Sequence, residues 1–174
     1  MKHITTSRLE LHPLSLNQLC IGLNSISKLS DDLALSLESD LFEGVVSKAV
    51  NMKIEKMKTA AEETHEWFTY WLIVPKVEKI GVGLAGFKGL PDISGSVEIG
   101  YGLNEKYRGK GYMSEAVKAL VQWAFFSDTC NRVTATSVFT DNIASQKVLL
   151  NAGFKLDSAT SECQNYSISK INVI

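Results

Sequence analysis

Cysteine, proline and net charge are all scarce in this sequence, and each scarcity excludes something. The three cysteines, Cys20, Cys130 and Cys163, are odd in number and far apart. That pattern fits neither a disulfide framework nor a metal site. No metal is expected, and Cys130, with only the cation of Arg132 close by in sequence, offers no acyl-cysteine route. The formal net charge is −1, from 18 basic and 19 acidic residues. This balance argues against a protein held to nucleic acid by bulk electrostatics. The basic stretch KIEKMK, residues 53–58, is interrupted by Glu55 and followed by Glu62 and Glu63. It reads as the solvated face of a helix. No apolar run approaches the length of a membrane span. The opening MKHITTSRLELHP lacks the apolar centre of a signal peptide. A cytoplasmic protein with neither membrane nor nucleic-acid partner is expected.

What remains is an ordinary globular balance, with 45% hydrophobic and 21% charged residues in 174. One domain, residues 1–174, is expected, and a chain of this size buries roughly 70% of its unfolded surface. RLELH, residues 8–12, alternates as a strand that ends at Pro13. Ser15 caps a helix to about Asn24. SKLSDDLALSLESD reads as another helical piece, and residues 45–67 carry apolar positions at helical spacing. FTYWLIV, residues 68–74, is aromatic and β-branched and predicts a strand ending at Pro75. Residues 80–90 and 97–103 predict two more strands, joined by the turn cluster PDISGS after Gly89 and Leu90. Short connections make these three an antiparallel meander. A helix follows, with Met113, Ala116, Val117, Leu120, Val121 and Ala124 on one face. Residues 132–139 predict a strand, and 143–151 a helix with Gly153 as its C-terminal cap. The tail adds one or two strands, of which YSISKINVI is the better candidate. The mixed order implies an α/β or α+β fold: one central sheet, antiparallel then parallel, with helices on both faces.

The segment NEKYRGKGYMSEA, residues 104–116, sets Gly109 and Gly111 at the entrance to a helix. Glycine costs backbone entropy there. A helix start leaves up to four N–H groups unpartnered and carries partial positive charge. Arg108 and Lys110 add cations, and Ser114 adds a hydroxyl in the first turn. The sum is either a site for a diphosphate or a turn that serves geometry alone. It is neither a Walker loop nor a dinucleotide fingerprint, because the required lysine–serine pair and third glycine are absent.

RGKGYM, residues 108–113, resembles the R-x-x-G-x-G/A acyl-CoA signature of the GNAT N-acetyltransferases, with Met113 in place of the final Gly or Ala. EIGYGLNEKYRGKGYMSEA, DNIASQKVLLNAGF and the opening TSRLELHPLS are similar to the branch that acetylates ribosomal-protein N-termini. The likeness covers most of residues 5–156, is strong from 97 to 154 and is weak from 20 to 67. It implies a GNAT-like fold, with a helical acceptor side over about 15–66 and an acyl-CoA-binding core over about 68–156. It also implies acetyl transfer from acetyl-CoA to a primary amine by direct attack in a ternary complex. The implied cofactor contacts are Ile99, Gly100, Tyr101, Arg108, Gly109, Lys110, Gly111, Tyr112, Met113, Ser114, Asn142 and Ser145.

Three chemical tasks follow. The amine must lose a proton, since N-terminal amines titrate near ~8 and lysine near ~10.4. Glu98, opposite Val97, Ile99 and Tyr101 by strand alternation, is either the base or a surface glutamate. The developing oxyanion needs donors. The likeness to the family's bulged strand assigns them to backbone N–H groups near Ile99 or Gly100. Gly100 and Gly102 suit a bulge or a close approach. The leaving thiolate needs a proton, and by resemblance Ser145 supplies it, because helix 143–151 contains no tyrosine. Asn142 is a helix cap or, by resemblance, a ligand of the pantetheine or diphosphate. His3, His12 and His65 form no triad. A non-catalytic acyl-CoA-binding sensor module is the alternative; it keeps the glycine loop but needs neither Glu98 nor Ser145. A homodimer through a sheet edge or the C-terminal strands fits the sequence as well as a monomer does.

Overall fold

A computed structural model describes residues 2–170. In chain order the elements are β1 (Ile4–Thr5), β2 (Leu9–Pro13), α1 (Leu16–Asn24), α2 (Ile26–Leu33), β3 (Ser36–Leu37), α3 (Val45–Thr59), α4 (His65–Phe68), β4 (Trp71–Pro75) and β5 (Ile80–Gly81). Then follow β6 (Gly83–Phe87), β7 (Ser96–Leu103), α5 (Tyr112–Phe125), β8 (Arg132–Phe139), α6 (Ile143–Asn151), β9 (Lys155–Ala159) and β10 (Cys163–Ser169). Eight strands form one sheet in the order β1-β2-β4-β6-β7-β8-β10-β9. Every neighbouring pair in it is antiparallel except β7 and β8, which run parallel. β3 and β5 pair separately.

Alternation along the central strands builds two cores. On β4, Trp71 and Ile73 join α5 and Leu149 of α6 on one face. Leu72 and Val74 face α1, α2 and α3 on the other. All five residues of β4 are buried, as expected for a strand covered on both faces. Ser15 caps α1 with a full capping box, its hydroxyl accepting from Gln18 N–H and the Gln18 side chain accepting from Ser15 N–H. Gly153, at φ +97°, follows the last turn of α6 in the left-handed region that stops a helix.

Three sequence expectations change. The aromatic run begins as helix, since Phe68 closes α4 and the strand starts only at Trp71. The second helical piece ends at Leu33, where Ala34 turns left-handed at φ 52°. Lys53, expected on a solvated face, is 7% exposed. It shares the buried stripe of α3 with Val50, Ile54 and Met57, because helical period rather than the interleaved Glu55 sets the face. Its ammonium donates to the carbonyls of Phe68 at 3.0 Å, Thr69 at 3.2 Å and Phe87 at 2.6 Å. It also lies 4.4 Å from the centre of the Tyr70 ring. Of the tail segment YSISKINVI, residues 166–169 belong to β10, and 171–174 lie outside the described residues.

Candidate active site

The site opens where β7 and β8 part. They pair only from Ser96 to Glu98, against Arg132 to Thr134. β7 continues in unbroken register with β6 from Ile99 to Leu103. The bulge expected in β7 is not on this side of the strand. A register shift lies instead between β8 and β10, where the span from Ala135 to Val138 on β8 faces that from Tyr166 to Gln164. Ser137 sits there at φ 55°, its N–H held by Asn165 Oδ1 at 2.9 Å. A bulge bends its strand, so β8 leaves β7 and follows β10.

The parting frees backbone groups. Lys88 N–H donates to the Glu98 carbonyl, and Asn104 N–H to the Val82 carbonyl, at the two ends of the β6–β7 pairing. Alternation commits the even-numbered residues of β7 to β6, Gly100 included. The Glu98–Thr134 rung still engages Ile99 N–H, and the Leu103 carbonyl accepts from Arg108 Nε at 3.4 Å, so the Ile99 carbonyl and both backbone groups of Tyr101 are the ones that turn toward the gap. The Ile99 side chain itself is buried in the α5-side core.

The glycine loop closes one side of the gap. Gly109 and Gly111 hold φ +77° and +78°. A side chain there is strained by about 1–3 kcal/mol. Gly111 is also tight: an added Cβ would lie 3.3 Å from an Arg8 guanidinium nitrogen. α5 starts with no side-chain cap. Among the described residues, no acceptor meets the backbone N–H groups from Gly109 to Ser114. Met113 does not obstruct the loop, because its side chain is buried in the core. This accounts for Met where the signature has Gly or Ala.

The loop cations are less free than the sequence implies. Lys110 pairs with Glu78 at 3.3 Å and Arg108 with Glu105 at 3.1 Å. Arg8 is the cation the sequence reading missed. Its Nη1 donates to the Lys110 carbonyl at 2.8 Å and its Nε to Glu115 at 2.6 Å. Glu115, in the first turn of α5, also accepts from Thr6 at 2.6 Å and Ser7 at 3.0 Å. Burial raises its carboxyl pKa, but the hydrogen bonds from Thr6, Arg8 and Ser7 outweigh this and hold it down to about 2. Arg8 and Glu115 are 107 residues apart, so no local spacing signals the pair.

Across the gap, Asn142 caps α6, its Oδ1 accepting from Ser145 N–H at 3.0 Å. The Ser145 hydroxyl lies 2.8 Å from the Tyr101 hydroxyl. Burial pushes the Tyr101 phenol up to about 12, with the Ser145 hydrogen bond pulling the other way. A cavity of about 780 Å³ runs between the loop and α6. Tyr101, Arg108, Gly109, Gly111, Tyr112, Met113, Ser114, Asn142 and Ser145 line it. Ile99, Gly100 and Lys110 are not among its lining residues.

A second cavity of about 590 Å³ lies on the α3 side. It shares Tyr101, Gly102, Leu103 and Arg108 with the first. An added Cβ on Gly100 or Gly102 would meet nothing within 4 Å, which keeps this side of β7 open. Glu98 lines neither cavity. Its side chain is 25% exposed, and its Oε1 accepts from Lys88 at 2.5 Å and Thr136 at 2.7 Å. No hydrogen bond reaches its Oε2 among the described residues.

A central strand parted from its parallel neighbour, with an uncapped glycine-rich helix start beside it, forms one open cleft. Residues 39–155 match the model of the acetyltransferase (GNAT) domain. The chain therefore belongs to the GNAT acetyltransferase family. It is 40% identical over 99 residues to the uncharacterized N-acetyltransferase YjdG of Bacillus subtilis, covering 57% of this chain and 58% of that protein. The uncharacterized N-acetyltransferase p20 of Bacillus licheniformis is 36% identical over 84 residues, 48% of this chain and 46% of that one. The match thus spans about half the length of these curated relatives. Among solved structures, a GNAT-family acetyltransferase from Bacillus anthracis superposes with TM-score 0.64 at 20% identity, covering 98% and 99% of the two chains. RimL, a ribosomal L7/L12 alpha-N-protein acetyltransferase solved with coenzyme A, gives TM-score 0.66 at 20% identity, covering 97% and 98%. At that identity the likeness is one of fold.

Proposed function

We propose that this protein transfers the acetyl group of acetyl-CoA to a primary amine, either a protein N-terminal α-amine or a small-molecule amine, with both substrates bound together. The observation that carries the reading is the meeting of two cavities at Tyr101, Gly102 and Leu103. One suits the cofactor and the other the acceptor. The unpartnered N–H groups from Gly109 to Ser114 fit the oxygens of a diphosphate. Acetyl-CoA supplies an activated acyl group on a thiol leaving group.

The residues of this chain then divide the work. The Tyr101 N–H, which faces the gap, receives the carbonyl oxygen as it gains charge, and the Ile99 carbonyl is left for the pantetheine arm. The amine lone pair forms the C–N bond, and the C–S bond breaks. Of the two protons the ammonium loses, one ends on the CoA sulfur and one reaches solvent. Glu98 Oε2, the carboxylate oxygen with no partner, accepts the outgoing proton through water.

Tyr101 and Ser145 serve the leaving sulfur. A simple thiol titrates near ~8.5, about 3.5 pH units below this phenol, so full proton transfer from Tyr101 is uphill by about 5 kcal/mol. The pair therefore stabilises the thiolate as a hydrogen-bond donor, Tyr101 to Ser145 to sulfur, rather than as an acid. The test is free-thiol release from acetyl-CoA with a panel of amines. Turnover that falls by ~10²–10⁴-fold in Glu98→Gln supports the reading. Unchanged turnover in that variant removes Glu98 from it, and absence of both turnover and CoA binding removes the reading itself.

A further inference from the structure

The α3-side cavity has a chemistry of its own. Its walls are apolar: Leu41, Val46, Ala49 and Leu84, with the Tyr70 ring. Four charged residues line it, two acidic and two basic: Asp40, Glu105, Lys106 and Arg108. Glu105 is paired with Arg108, and Lys106 reaches Glu38 at 3.1 Å. Asp40 alone of the four forms no ion pair among the described residues. Its Oδ1 accepts from the neutral Asn104 amide at 2.8 Å. The cavity thus offers one carboxylate free for a cation, beside a wall that rewards apolar contact. A second ammonium would meet Lys106 and Arg108 with no carboxylate to spare.

Resting on the acceptor role given to this cavity above, we infer that the acceptor is a singly charged primary amine carrying an apolar substituent on its α-carbon, read by Asp40. Polyamines are disfavoured because the lining has no net negative charge to hold a second cation. Small polar amines are disfavoured because they leave the wall of Leu41, Val46 and Leu84 uncovered.

Leucinamide, glycinamide and spermidine distinguish the choices. Thiol release should be fastest with leucinamide, with kcat/KM on the order of 30-fold above glycinamide, the amine without the isobutyl group. Asp40→Asn should raise the leucinamide KM about fivefold, the worth of one partly exposed ion pair, while CoA affinity holds and reports an intact fold. Val46→Asp, which adds a second carboxylate to the wall, should move preference from leucinamide toward spermidine. Turnover that favours spermidine or glycinamide in the unaltered protein overturns the inference and leaves acetyl transfer standing. If no amine releases thiol, calorimetry of leucinamide into the protein–CoA complex decides. Saturable binding weakened in Asp40→Asn upholds the inference while transfer falls, and absence of binding overturns it.

Discussion

The loop-side cavity and the α3-side cavity touch, yet they are built differently. The first is lined from two stretches of chain, residues 101–114 and 142–151. The second is lined from the 40–49 segment, from Tyr70 on the approach to β4, from Leu84 on β6 and from the 101–108 stretch. A site drawn from two short stretches leaves its mark in local sequence, as glycines at positive φ and a capping asparagine. A site drawn from four distant segments leaves none until the chain is folded. The difference bears on variation too. The α3-side cavity can change its chemistry one side chain at a time, whereas the loop tolerates only residues that fit φ near +78°.

Four substitutions sharpen or break that comparison. The largest effect is expected at Gly111. Gly111→Val forces a branched side chain into the left-handed region against Arg8, and should weaken CoA binding by ~10–100-fold in calorimetry. Gly102→Ala is the counterpart, since its Cβ meets open space. It should leave CoA affinity within about twofold and act, if anywhere, on the amine KM; equal loss of CoA affinity in both variants would erase the distinction. Next comes the junction. Tyr101→Phe removes the phenol hydroxyl from Ser145 and should lower kcat by about tenfold, the worth of one hydrogen bond. Ser145→Ala should lower it similarly, and the double variant should cost little more than either alone.

Smaller effects concern the clamp and the buried lysine. Glu115→Gln should lower stability by about 1–3 kcal/mol in denaturant titration, since Thr6, Ser7 and Arg8 lose a charged acceptor. Its carboxyl is depressed in the fold, so its stabilisation is present above its ordinary pKa of 4.5 and fades as pH falls through about 2. The variant should therefore show a flatter acid limb in that window. Lys53 gives a pH dependence of the same sign from the opposite cause, since here the fold disfavours the charged form. Burial pushes its ammonium down to about 7, helped by the charges of Lys56 and Lys88, while the three carbonyls it bonds resist. The unfolded chain holds that proton up to 10.5, so stability should rise as pH goes from about 7 to 10.5. Lys53→Met should remove that rise.

Much of this was legible before folding. Strand 132–139 and helix 143–151 were read with the bounds the structure gives them, because turn signals flank both. The loop glycines at 109 and 111 were legible because only glycine suits their φ. The Lys53 burial was not, since a lysine among charged neighbours looks solvated until the helical stripe is aligned with the sheet. Nor was the Tyr101–Ser145 contact, because 44 residues separate the pair and the tyrosine lies on a strand rather than in the helix that carries Ser145. The Arg8–Glu115 clamp and the Asp40 rim failed for the same reason of distance. The β7–β8 gap was not legible, since Ser137 gives no glycine signal for its left-handed turn, and Gly100 and Gly102 pointed only to a bulge or a close approach in β7.

The central claim is that two cavities meeting at Tyr101, Gly102 and Leu103 hold both substrates at once. Initial rates with acetyl-CoA varied at several fixed amine concentrations test it most directly. Double-reciprocal lines that intersect to the left of the ordinate are the predicted result, because acetyl passes straight from cofactor to amine. Parallel lines would signify an acetyl-enzyme formed before the amine binds and would contradict the account.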